Sequence, residues 1–312
     1  MRKKVILDCD PGHDDAIAMM LAGKHPSIDL LGITVVQGNQ TLDKTGKNAL
    51  HLKEFFGFDI PVSLGSSQPL VKESQICPDI HGESGLDGYD FPHITSSFTD
   101  KRACDYMIDT CLDSPDKITI VTTGPMTNLA LALKVEPTIK TKIEKIVVMG
   151  GSIEYGNVTP AAEYNIFADP EAAHIVVHSG IPVVMMGLDV TRKVMVLPHI
   201  IERIEKIHNQ VSDLFVKLMK AFNQNQQNVF NLPAGPLHDP VTIAYLIDPS
   251  IVSLKKVSCQ IDLSHGPSYG RTNIDRFDYL KRPKNIEVAI DIDVTKFWDL
   301  IENVIKMFDE DH

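Results

Sequence analysis

Val5-Ile6-Leu7-Asp8-Cys9-Asp10-Pro11-Gly12-His13-Asp14-Asp15 runs an apolar stretch directly into an acidic one. Val5 to Leu7 reads as a short buried strand, and Asp14 to Lys24 has helical character. Pro11 and Gly12 suit a tight turn that folds Asp10 back toward Asp14 and Asp15. A strand-to-helix junction of this kind is where open α/β sheets bind ligands. Four carboxylates within eight residues would repel one another by an amount on the order of several kcal/mol at low dielectric. A hard cation such as Ca²⁺ or Mg²⁺ removes that repulsion, because it accepts carboxylate, carbonyl and water oxygens together. Asp14 and Asp15 could instead serve only the helix dipole, but that leaves Asp8 and Asp10 unexplained. A phosphatase with an aspartyl nucleophile also begins with a strand and a DxD pair, and is the nearest rival.

Outward from this junction the pattern repeats. Leu30 to Val36, Ile60 to Val62, Ile118 to Val121, Ile146 to Met149 and Pro182 to Met186 are β-rich apolar runs. Between them Lys44 to Phe56, Asp100 to Leu112, Met126 to Val135 and Pro170 to His178 carry helical periodicity. Such alternation predicts right-handed βαβ units, and so an α/β fold with an open, mostly parallel, Rossmann-like sheet flanked by helices. After about residue 195 the alternation weakens. His199 to Gln227 reads as one or two helices, and another starts at Pro240. Ser253 to Leu263, Gly270 to Ile274 and Asn285 to Ile292 resemble strands, and Thr295 to Met307 is an amphipathic helix. No Gly-, Ser- or Pro-rich linker divides residues 1–312, so a single domain is expected.

The balance of 30 basic and 41 acidic residues gives a net charge of −11. That charge argues against nucleic acid and anionic membranes as partners, but not against a small uncharged ligand. Five cysteines without CxxC spacing read as reduced thiols, and the broken apolar run at the N-terminus does not read as a signal peptide. A cytoplasmic protein is expected.

The motifs resemble those of the inosine–uridine-preferring nucleoside hydrolase family. Asp8 to Asp15 matches its DxDPGxDD signature, with His13 at the variable position, and Gly32-Ile33-Thr34-Val35-Val36-Gln37-Gly38-Asn39 looks like its second motif. Gly150-Gly151, Ala162-Glu163-Tyr164-Asn165 and Asp169-Pro170-Glu171-Ala172 look like the central block. Leu237-His238-Asp239-Pro240 matches the late His-Asp motif. Four motifs in order are far more specific than any one, and the chain looks closer to the bacterial pyrimidine-preferring members than to the purine-specific ones.

The resemblance implies a Ca²⁺ ion held by Asp10, Asp15, Asp239 and the Thr123 carbonyl. It implies a general base at Asp10 and water attack on the C1′–N bond of a ribonucleoside, through an oxocarbenium-like transition state. Asp14, Asn39 and Asn165 would grip the ribose, Asn157 and Glu163 the 5′-hydroxyl, and Met149 would also line the substrate site. His238 would contact or protonate the leaving base, with His81 a second candidate from a mobile loop. A homodimer or homotetramer and a role in nucleoside salvage are likewise implied. The chain departs from the pyrimidine-preferring pattern at one place. Gln226 is present, but Phe230 stands where those relatives carry tyrosine, and a phenyl ring can stack but not donate a proton. Besides the phosphatase, a non-catalytic calcium-dependent nucleoside binder stays open, since it would keep the ribose clamp without a base at Asp10.

Overall fold

The structure, a computed structural model, describes residues 2–309. Nine strands form one sheet: β1 (Lys3–Cys9), β2 (Ile28–Val35), β3 (Val62–Leu64), β4 (Ile118–Thr122), β5 (Ile143–Met149), β6 (Val183–Met186), β7 (Val252–Ile261), β8 (Thr272–Asp275) and β9 (Ile286–Ile292). Their order is β3-β2-β1-β4-β5-β6-β9-β7-β8. Pairings from β3 through to β9 are parallel, and only β7 runs antiparallel to its neighbours β9 and β8. The first six strands thus have the doubly wound order 3-2-1-4-5-6, whose direction of growth reverses between β1 and β4. A crevice opens at their carboxyl ends, and β1 ends there in the acidic stretch.

The apolar runs are continuous because the sheet is covered on both faces. In β1, Val5, Leu7 and Cys9 pack into one core with the helices His13–Lys24, Gln210–Phe230, Pro240–Ile247 and Val294–Lys306. Ile6 points the other way, into a second core with the helices Ala103–Asp113, Thr127–Val135 and Pro170–Val177. The helix His13–Lys24 is buried on every side over its first ten residues, from His13 to Ala22. A helix without a polar face belongs inside, and this one packs against Pro240–Ile247. The late His-Asp motif is thereby carried to the first motif.

One open expectation resolves and another shifts. The stretch from His199 to Gln227 is two helices, Pro198–Glu205 and Gln210–Phe230. Between them His208 adopts a φ of 60°, and Asn209 starts the second helix by accepting from the Ser212 N–H at 2.7 Å. The third strand lies at Val62–Leu64 and not Ile60–Val62, because its pairing with Ile33 to Val35 begins at Val62.

Phe215, on the helix Gln210–Phe230, is completely buried in the first core. Phe215→Ala is expected to destabilise the protein by about 3–5 kcal/mol, measured by urea denaturation; a loss below about 1 kcal/mol would mean that this core re-forms around the gap.

Candidate active site

Asp10, at the end of β1, is 1% exposed and sits in a slot made by two glycines. A Cβ on Gly38 would fall 2.0 Å from its Oδ2, and a Cβ on Gly124 would fall 2.5 Å from its Oδ1. These close approaches account for the glycines of the Gln37-Gly38-Asn39 and Thr123-Gly124-Pro125 segments. Oδ2 accepts from the Asn39 N–H at 2.7 Å. Oδ1 is buried with no hydrogen-bond partner among the described residues. An ionised oxygen in that state is costly unless something outside the chain satisfies it.

That something is indicated next door. Asp14, Asp15 and Asp239 are all buried, and each offers a carboxylate oxygen within 4.8 Å of the others. Asp15 Oδ1 accepts from Thr123 Oγ1 at 2.8 Å, and its Oδ2 from Asn39 Nδ2 at 3.1 Å and the Gly12 N–H at 3.0 Å. The last bond closes the N-terminal turn of the helix His13–Lys24, so Asp15 serves the helix start as well as the cluster. Asp239 precedes the helix Pro240–Ile247 but makes no capping bond with its side chain, in contrast to Asp169 and Asp293, which do. Burial and mutual repulsion push the group up together. Asp15 rises to about 7, through burial and then the Asp14 charge. Asp10 and Asp239 rise well above the carboxylate range, Asp10 through burial and then Asp15, Asp239 through burial and then Asp14. The oxygen-rich, crowded donor set with an orphaned neighbour fits a hard divalent cation.

Asp8 has a different job. Its Oδ1 accepts from Thr34 Oγ1 at 2.7 Å and Asn128 Nδ2 at 2.8 Å, tying β1 to β2 and to the helix Thr127–Val135. Burial lifts it to about 7.

Above the acidic floor lies a cavity of about 710 Å³, of a size that suits a small organic ligand. Asp14, Asn39, Thr123, Met149, Asn157, Glu163, Asn165, Asp239, His81, Gln226, Phe230 and His238 all line it, whereas Asp10 and Asp15 lie beneath. Asn165 Nδ2 donates to the carbonyls of Thr123 (2.7 Å) and Met149 (3.0 Å), so the Thr123 carbonyl has one lone pair left. Glu163 accepts backbone N–H groups from Asn165 and Gly151, both at 2.9 Å, and from Ile166 at 3.2 Å; it caps the short helix Tyr164–Ala168, and burial lifts it to about 7. Asn157 gives its Oδ1 to the Tyr164 N–H at 2.9 Å.

The other end of the cavity is aromatic. Phe222, Gln226 and Phe230 are spaced at i, i+4 and i+8 along the helix Gln210–Phe230, and Phe230 is 46% exposed at the rim. His238 is bonded through Nδ1 to Thr191 Oγ1 at 2.7 Å, and burial, with Arg192 second, pushes its imidazole down to about 3. His81, expected from a mobile loop, ends the short helix Pro78–His81, is 7% exposed and stacks on both His13 and Phe222, which also stack on each other. Burial holds it well below the usual histidine range. Neither His81 nor His238 has a protein partner at Nε2 among the described residues.

Sequence reasoning missed His13, Phe222 and Arg192. Arg192 is the one Lys or Arg among the described residues lining the cavity, where it donates to the carbonyls of Tyr155 (3.2 Å) and Gly156 (2.6 Å). His13 was visible only as the variable letter of a motif, and Arg192 lies in no motif.

The family model for inosine-uridine preferring nucleoside hydrolase matches residues 5–299. The chain belongs to this family. It is accordingly an N-ribohydrolase of ribonucleosides, and the aspartyl phosphatase reading falls. It is 45% identical over 311 residues to the pyrimidine-specific ribonucleoside hydrolase RihB of Escherichia coli (strain SMS-3-5 / SECEC), covering 100% of this chain and 99% of the relative. Among solved structures it resembles a purine-preferring ribonucleoside hydrolase from Gardnerella vaginalis, at 33% identity and a TM-score of 0.90, over 98% of this chain and 100% of that one. A plant nucleoside hydrolase, PpNRh1, matches at 32% identity and a TM-score of 0.91, over 98% and 99%. Among the described residues, no helix is long and apolar enough to cross a membrane.

Gly38→Ala is expected to push the Asp10 carboxylate out of its slot and lower kcat/KM for ribonucleosides by about 100-fold, the cost of a misplacement near 1 Å. Circular dichroism should show the fold retained; an alanine variant with unchanged kcat/KM would mean that the slot does not set the position of Asp10.

Proposed function

We propose that the chain hydrolyses pyrimidine ribonucleosides to ribose and free base with a Ca²⁺ ion, held by Asp10, Asp15, Asp239 and the Thr123 carbonyl. The observation that carries this reading is the orphaned Asp10 Oδ1 beside three converging carboxylates on the cavity floor. When bound, a Ca²⁺ ion there would neutralise the cluster, lower the pKa of a water and offer coordination to vicinal hydroxyls. Asp10 Oδ1, without a partner among the described residues, takes the proton from the attacking water. Asp14 and Asn39, with Asn165 behind them, hold the ribose diol, and Asn157 and Glu163 lie at the 5′ end. A fixed sugar removes much of the entropic barrier. As the C1′–N bond stretches, positive charge gathers on the sugar, and the carboxylates beneath it stabilise that charge. His238 and His81 offer Nε2 to the departing base, and Phe222 and Phe230 offer it ring surface.

Pyrimidine preference draws support from the 45% identity to RihB, while the purine-preferring structural relative has the same fold. Phe230 gives up the hydroxyl that a tyrosine would provide, so leaving-group contact passes to the histidines.

Three measurements test this reading. Purified protein should release reducing sugar from uridine and cytidine faster than from inosine; a faster rate on inosine would overturn the preference. Asp10→Ala should lower kcat by at least about 1,000-fold, the scale of losing a general base that also orders the water, while leaving most of the fold intact; retained turnover would remove Asp10 from the chemistry. Chelation should abolish turnover and added Ca²⁺ restore it, and full activity in excess chelator would exclude a required exchangeable ion.

A further inference from the structure

His13 is fully buried and has no part in the chemistry above, yet it sets the surroundings of His81. His13 Nε2 lies 2.8 Å from the Asp87 carbonyl oxygen. A carbonyl only accepts, so Nε2 carries the His13 proton and Nδ1 is left as an acceptor. His81 Nδ1 lies 3.4 Å from that His13 Nδ1, and also 3.4 Å from the His13 backbone nitrogen. The His13 N–H belongs to the first turn of its helix, where no intrahelical acceptor exists. A single nitrogen of His81 therefore faces a fixed donor and a fixed acceptor, both from one residue.

Each tautomer of His81 satisfies one of the two. With its proton on Nδ1, His81 donates to the His13 ring, and Nε2 is an acceptor. With its proton on Nε2, His81 accepts from the His13 backbone, and Nε2 is a donor. Neither form meets both partners, so neither is strongly favoured. The ring is closely packed: its centroid is stacked 5.6 Å from that of His13 and 5.8 Å from that of Phe222, and Gly12 admits it so closely that a Cβ there would fall 2.6 Å from Nδ1.

We propose that His13 is a positioning residue that lets His81 present either a donor or an acceptor to the base, so that one pocket takes both uridine and cytidine. This rests on the pyrimidine reading above. Uracil offers N3–H and O4, and cytosine offers N3 and N4–H₂, so donor and acceptor are exchanged at both places. A group of fixed polarity would suit one base and leave a buried polar atom unpaired against the other, a mismatch that strongly discriminates substrates.

Steady-state kinetics on His13→Phe and His13→Gln test it. Phenylalanine keeps the stack and the backbone N–H but removes the ring acceptor, which confines His81 to one tautomer. The ratio of kcat/KM for uridine to that for cytidine is expected to change by about fivefold, the scale of one hydrogen bond, and glutamine, whose Oε1 can accept, should bring the ratio back. Equal losses on both nucleosides in both variants would overturn the proposal. A second measurement uses the Asp10→Asn variant with ¹⁵N-labelled histidine. Saturated with uridine and then with cytidine, it should show the His81 proton on opposite ring nitrogens; the same nitrogen in both complexes would also overturn it. Failure of the pyrimidine reading shows separately, as a wild-type enzyme that cleaves neither nucleoside, and takes the proposal with it.

Discussion

Four buried carboxylates, with no ion pair to a Lys or Arg side chain among the described residues, are the constraint on which the site depends. Asp10, Asp14, Asp15 and Asp239 are each at most 5% exposed, and each is pushed upward chiefly by burial. In a low-dielectric setting such a group is tolerable only if protons or a cation cancel the charge. The fold builds the group from both ends of the chain. Asp10 follows directly on β1, the first turn of the helix His13–Lys24 supplies Asp14 and Asp15, and the packing of the helix Pro240–Ile247 on His13–Lys24 delivers Asp239.

The doubly wound order explains why these groups meet a cavity. Because the sheet grows in opposite directions from β1 and β4, the loops after these two strands diverge and leave a crevice over Asp10 and Thr123. Gly38, in the loop after β2, and Gly124, in the loop after β4, let those two loops close on the Asp10 carboxylate. Tyr164 then fastens the first of them, its hydroxyl reaching the Gly38 carbonyl at 2.6 Å. Catalytic geometry here is set jointly by strand ends, fitted backbone at the glycines and the starts of the helices His13–Lys24 and Pro240–Ile247.

Much of this was legible in the residues. The alternation of apolar runs and helical segments implied the parallel sheet, and the acidic run after Leu7 implied a ligand site at its edge. The motif residues Asn39, Glu163, Asn165 and His238 come together around one cavity. Asp8 was not legible, because nothing in the sequence says that its carboxylate is bonded to Thr34 and Asn128. Nor was the burial of His81: a segment with Gly82, Ser84 and Gly85 reads as an exposed loop, whereas the His81 ring packs on His13 and Phe222. Those contacts join residues 68 and 141 positions apart, and only tertiary packing brings them together. Substrate preference was the least legible feature, since it turns on single side chains such as Phe230 at the rim.

Calorimetric titration of the metal-stripped protein with Ca²⁺, repeated in buffers of different ionisation enthalpy, tests the central claim most directly. One ion per chain should bind with release of protons, because carboxylates crowded in the empty cluster hold protons that the cation displaces, and Asp239→Asn should weaken that binding sharply. Absence of calcium uptake, or uptake unaltered by Asp239→Asn, would contradict an ion seated among these aspartates.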